Sequence, residues 1–166
     1  PLNHPDFLEA ALVACQDMGL HTALDTSGHA PWEMLNQIRP YVDLFLYDVK
    51  LLDDTLHQND TGVSNRLLLA NLQKLAEIGH NIHVRIPLVP GINDAPTQIQ
   101  AVGKFVAQLP GVSRLDVLPY HEMAAEKYRR LGRDYPLQGL QSPDEAAVQK
   151  IARALRAFGL EVHVGG

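Results

Sequence analysis

An apolar run, Phe45-Leu46-Tyr47-Asp48-Val49-Lys50, closes on two opposite charges one residue apart. In a strand, alternate residues share a face, so Asp48 and Lys50 project side by side from the end of a sheet. Three further polar groups follow short apolar runs in the same way: Asp25-Thr26 after Ala23-Leu24, Arg85 within Asn81–Pro87, and His121 after Leu115–Leu118. Lys50 and Arg85 suit a carboxylate or phosphate, Arg by its planar fork and Lys as a point charge. Asp25, Asp48 and the Thr26 hydroxyl offer hard oxygens to a small cation, or acceptors to an amine. That mixture of signs matches a zwitterionic ligand such as an amino acid, and no nucleophile-plus-base pair stands out. Each residue also has a plainer role open to it. Asp25 with Ser27 can make a side-chain-capped turn, Asp48 and Lys50 can pair with each other, and His121 can cap a helix or sit in solvent. His29, His57, His83 and His163 show no partner spacing and read as surface or packing residues.

The elements that must position these groups alternate along the chain. Phe7, Leu8, Ala11, Leu12, Cys15 and Met18 recur at helical spacing after Pro5-Asp6, which predicts a helix over 5–18 ending at Gly19. A strand over 21–24, a helix over 31–38, the strand 42–50 and a polar loop over 51–62 come next. Ser64 or Asn65 caps a helix that stops at Gly79. The strand 81–87 is followed by Pro90-Gly91, the helix 95–109 and the strand 115–118. The polar segment 122–135 reads as a short helix over the mouth of the fold. Ser142-Pro143-Asp144-Glu145 starts a last helix, and 160–164 is the fifth strand. Strands alternating with helices predict an α/β fold with parallel strands, a doubly wound sheet or part of a (β/α) barrel. Five strands exclude a closed eight-stranded barrel within these residues, and in both architectures chemistry collects at the carboxyl ends of strands.

The 166 residues are 46% hydrophobic and 20% charged, with a net charge of −5, a single-domain composition that argues against general nucleic-acid or membrane-surface binding. No apolar stretch approaches the length of a bilayer span, and Pro1-Leu2-Asn3-His4 lacks the features of a signal peptide. The expected compartment is the cytoplasm. Cys15, the single cysteine, cannot by itself hold an iron–sulfur cluster and reads as a small apolar residue on a helix face. No G-x-G-x-x-G follows the first strand and no G-x-x-x-x-G-K-[ST] occurs.

Several motifs then occur in a recognisable order: Leu24-Asp25-Thr26-Ser27-Gly28, Asp48-Val49-Lys50, Thr61-Gly62-Val63-Ser64-Asn65, Arg85 with Leu88-Val89-Pro90-Gly91-Ile92-Asn93-Asp94, and Leu118-Pro119-Tyr120-His121 with Lys127-Tyr128 and Leu131-Gly132. The set, over essentially the whole chain, resembles the glycyl-radical-enzyme activating enzymes, radical S-adenosylmethionine (SAM) proteins related to the pyruvate formate-lyase activating enzyme. The resemblance implies a partial (β/α) barrel, of which these residues are a single-domain C-terminal part. The family's C-x-x-x-C-x-x-C loop, which holds a [4Fe–4S] cluster, is not among them, and Pro1 falls where the family's G-G-E-P segment ends. Ala124 stands where many relatives have glycine. The resemblance further implies that Lys50, Arg85, His121 and Asp25 contact SAM. Asp25, Thr26, Asp48 and the Leu46 backbone would line a monovalent-cation site. The whole enzyme would use a 5′-deoxyadenosyl radical to take hydrogen from a glycine of a partner glycyl radical enzyme. The isolated chain is expected to be inactive. Two alternatives stay open: a Schiff-base lyase or aldolase using Lys50, and a non-catalytic barrel fragment with an open sheet edge.

Overall fold

The computed structural model describes residues 2–121 and 123–165. Expectations that fall on Pro1, Glu122, the Ala124 side chain and Gly166 lie outside the described residues. The elements run α1 (Pro5–Asp17), β1 (Ala23–Thr26), α2 (Trp32–Ile38), β2 (Leu44–Asp48), α3 (Asp54–Thr61), α4 (Arg66–Ile78), β3 (Ile82–Leu88), α5 (Pro96–Val106), β4 (Arg114–Pro119), α6 (Met123–Arg130), α7 (Glu145–Arg156) and β5 (Glu161–Val164). One sheet holds all five strands in the order β1-β2-β3-β4-β5, and every pairing is parallel. Sequential order with a helical crossover between successive strands is the wall of a (β/α) barrel rather than a doubly wound sheet, whose order reverses at a switch point. Among the described residues no helix is long and apolar enough to cross a membrane.

Period-two alternation sorts the strand residues into two populations. Leu24, Phe45, Tyr47, Val49, Ile82, Val84, Ile86, Leu115, Val117 and Val162 belong to the core, with Leu35 and Ile38 of α2, Leu72 and Leu75 of α4, Val102 and Val106 of α5, and Ala152 and Leu155 of α7. The register Asp25↔Leu46↔His83 and Asp48↔Arg85↔Asp116↔His163 aligns their neighbours on the opposite face, and none of these belongs to that core. Helices α1, α2, α4, α5 and α7 therefore bury their apolar stripes on one side of the sheet.

Three local expectations are corrected. Residues 51–62 are not a loop throughout: α3 occupies Asp54–Thr61, with Asp53 accepting from the Leu56 N–H at 2.9 Å and Gly62 ending it at φ 79°. Both are cap signals, but a helix whose only buried residue is His57 carries no apolar stripe to betray it. Asn65 precedes α4 without a side-chain cap bond, and it is Ser64 whose hydroxyl accepts from the first N–H of the helix, that of Arg66, at 3.3 Å. The last helix is capped by Asp144, which accepts from the Ala147 N–H at 2.6 Å, and not by Ser142.

The turn after β1 depends on one glycine. Gly28 has φ 65°, and a Cβ there would fall 1.6 Å from the Tyr47 hydroxyl. Tyr47 is fully buried and donates to the Leu68 carbonyl at 2.7 Å, while burial pushes its phenol pKa far above the ordinary range. The chain leaving Asp25-Thr26 can pass this ring only without a side chain.

Candidate functional site

Asp25, Asp48 and Arg85 sit on the non-core face: Asp25 and Asp48 lie at or next to the carboxyl ends of β1 and β2, Arg85 lies midway along β3 opposite Asp48, and Asp25 stands opposite Leu46, two residues before Asp48. Arg85 Nε donates to Asp48 Oδ1 at 2.8 Å, and Nη2 lies 2.7 Å from the same oxygen while also reaching Asp25 Oδ1. The side chains of Arg85 and Asp48 are only 13% and 19% exposed, whereas Asp25 is 64% exposed. The triad thus has a withdrawn pair and an open acid. Desolvation pulls the Arg85 pKa down, but the hydrogen bonds it donates to Asp25 and Asp48 outweigh it, and the guanidinium is held above its ordinary value. The positive charge between the two carboxylates is the protein's own.

Lys50 does not pair with Asp48. It lies two residues beyond the end of β2, and among the described residues its ammonium has no hydrogen-bond or ion-pair partner. A cleft of about 440 Å³ opens beside it, walled by Asn59 and Asp60 of α3, Ile92 and Asn93 of the loop after β3, and Tyr128 of α6. His121 is exposed and borders a second hollow of about 220 Å³ with Leu118 and Tyr120. Pro87, Val89, Tyr135 and Leu137 line both, so Lys50 and His121 flank a common ridge at the end of β3. Thr26 faces the other way. Its hydroxyl is buried and accepts from the Gly28 N–H at 2.9 Å, closing the turn. Among the described residues no three His, Cys, Asp or Glu side chains form a metal-holding group.

Sequence reasoning missed three buried asparagines that hold the strand-end connections. Asn71 of α4 donates to the carbonyls of Gly28 and Ala30, both at 2.8 Å. Asn65 donates to Leu51 and Leu52, at 3.0 and 2.8 Å. Asn93 donates to Lys50 and Pro87, at 3.0 and 2.8 Å. Buried carbonyls outside regular structure need such partners. A signal existed for Asn71, which occupies an apolar-face position of α4 between Leu68 and Leu75. A second missed feature lies across β4 and β5. Asp116, buried, accepts from Arg114 at 2.9 Å, and His163 Nε2 contacts Glu161 at 2.8 Å, extending the polar row beyond the rim. His57, buried, contacts the Val63 carbonyl through Nδ1 at 2.8 Å.

The model of the radical SAM superfamily matches residues 1–102. The chain belongs to the radical SAM superfamily. It is 36% identical over 166 residues to the choline trimethylamine-lyase activating enzyme of Oleidesulfovibrio alaskensis, covering 98% of this chain and 54% of that protein. It is 30% identical over 159 residues to the pyruvate formate-lyase 1-activating enzyme of Escherichia coli K12, covering 95% and 65%. A crystal structure of a domain of a pyruvate-formate lyase-activating enzyme from Bacteroides vulgatus superposes with a TM-score of 0.82 at 32% identity, covering 100% of this chain and 94% of that domain. The chain spans about half the length of the first of these relatives. Radical SAM proteins use SAM and a [4Fe–4S] cluster. The strand-end groups suit the first: an ammonium with no partner among the described residues for a carboxylate, and carboxylates for an amine or a sulfonium. They do not suit the second, because a cluster is held by several thiolates and Cys15, the single cysteine, lies half-buried on α1.

Proposed function

We propose that this radical SAM chain forms the SAM-binding wall of an enzyme that activates a glycyl radical enzyme, working in the cytoplasm. The observation that carries the reading is the gathering on one rim of Lys50, a cation unpaired among the described residues, beside an arginine that bridges two acids. Relatives at 30–36% identity over nearly the whole chain are named activating enzymes, which points to the partner class. Lys50 takes the SAM carboxylate, Arg85 donates with the guanidinium groups left over from the triad, Asp25 faces the amine, and His121 contacts the nucleoside end across the Pro87–Val89 ridge. When bound, SAM would take one electron from the [4Fe–4S] cluster, break its C5′–S bond with release of methionine, and so supply the 5′-deoxyadenosyl radical for hydrogen abstraction from a glycine. What this wall contributes is orientation and exclusion of water at the strand ends. The proposal extends to a monovalent cation held by Asp25, Asp48 and the Leu46 carbonyl; the Thr26 hydroxyl, turned to the core side and taken by the Gly28 N–H, is not among its ligands. Such an ion competes with Arg85 for the two carboxylates. With no cluster ligands of its own, the chain by itself is inactive, and its part is the C-terminal share of the barrel.

Lys50→Ala in the full-length protein tests the reading. Loss of a hydrogen-bonded charge pair is expected to raise the SAM dissociation constant about tenfold or more, with the visible absorbance of the cluster unchanged. An unaltered dissociation constant would remove Lys50 from the site.

A further inference from the structure

Asn93 uses every hydrogen-bonding group of its side chain, and it is buried while doing so. Its amide donates to the Lys50 carbonyl at 3.0 Å and to the Pro87 carbonyl at 2.8 Å, and its oxygen accepts from the Val89 N–H at 2.8 Å. The reason for this arrangement lies in the ladder between β2 and β3. Its rung at the strand ends runs from the Val49 N–H to the Arg85 carbonyl, at 2.9 Å. In a parallel ladder the next donor would be the N–H of residue 87, and Pro87 has none. The strands would be free to part at the point where Lys50 leaves the sheet. Asn93, six residues after Pro87, returns from the loop and joins them.

We infer that Asn93 is a positioning residue: it fixes the main chain of Lys50 against the Pro87–Val89 end of β3, and so sets where the Lys50 ammonium stands relative to Arg85 and the cleft. This rests on the reading that Lys50 takes the SAM carboxylate. Asn65 and Asn71 make comparable double bonds, but to carbonyls of residues that carry no group of the site. Only Asn93 grips a site residue itself. The held backbone fixes where the Lys50 side chain starts at the cleft, so less main-chain freedom is lost when an anion binds.

A double-mutant cycle on the full-length, cluster-loaded protein decides the matter, with SAM affinity read by equilibrium binding and folding read by thermal unfolding. Asn93→Ala is expected to weaken binding about tenfold. In the Lys50→Ala background it should change affinity by less than about twofold, because it acts through Lys50. Asn93→Ala with unchanged affinity, or losses that multiply in the double variant, overturns the inference. Lys50→Ala without effect removes the functional reading together with it, whereas an effect of Lys50→Ala alone removes only the role of Asn93. Should Asn93→Ala fail to fold, the same cycle is read with Asn93→Asp, which keeps the volume and the Val89 bond but sets an oxygen against two carbonyls. A purely structural role would lower the melting temperature without the dependence on Lys50.

Discussion

Phe45, Tyr47 and Val49 are fully buried beneath the helices, while their immediate neighbours Leu46, Asp48 and Lys50 stand on the face that no core residue shares. The same contrast runs through β3, where Val84 and Ile86 are core and His83 and Arg85 are not. One face is apolar and accepts only shape. The other carries the row Asp48, Arg85, Asp116, His163, in which acids and bases alternate from strand to strand. The division shows that stability and binding are separable here at the level of adjacent residues, because a pleat sends them in opposite directions. It also explains why charge can be kept close to the sheet: every strand that brings an acid to the row has a base beside it.

The sharpest way to break the comparison is to truncate neighbours. Phe45→Ala should cost about 3–5 kcal/mol of stability, the scale of a lost core aromatic, whereas Leu46→Ala on the half-buried face should cost less than about 2 kcal/mol. Urea unfolding of both variants checks this, and equal costs would mean that the two faces are equally packed. Next in size is Gly28→Ala, which places a Cβ on the Tyr47 hydroxyl and an L-residue at positive φ. A loss of about 2 kcal/mol or more is expected, with weaker SAM binding because the turn after Asp25 moves. A variant as stable as the parent would show that the turn can relax.

The smallest effect is one of pH. Burial, and then Arg39, lowers the pKa of His80, which packs edge-on against Phe45 on the core side. Burial, and then Arg114, lowers that of His83 on the opposite face. With folded values below the unfolded 6.5, the unfolded chain takes up protons first. Stability is therefore complete above pH 6.5 and declines as the pH falls through the folded values. Urea midpoints at pH 7.5 and 5.5 should differ less in His80→Gln and in His83→Gln than in the parent, and the two decrements compare the two faces directly.

Much of this was legible in the one-dimensional pattern. Five strands, their parallel class and the acids at the ends of β1 and β2 follow from apolar periodicity broken by glycine and proline; Arg85 was expected at a strand end, but β3 runs on through Pro87 to Leu88, and His121 stands two residues past β4. Helix α3 was not, because its burial rests on a single histidine. Nor was the partner of Asp48. Sequence places Lys50 two residues away, but β2 ends at Asp48, and the register delivers Arg85, 37 residues distant, to the same oxygen.

The sequence by itself determined the family, through its motifs, and the alternation that puts chemistry on one face of a sheet, since side-chain direction in a strand is a local property. Tertiary structure decided which charges meet. Pairing Arg85 with Asp48 and Asp25, leaving Lys50 without a counter-ion among the described residues, turning Thr26 to the core side and tying Lys50 to β3 through Asn93 all depend on strand register and on where a loop returns. Those are set by the packing of whole helices against the sheet, and no local spacing encodes them.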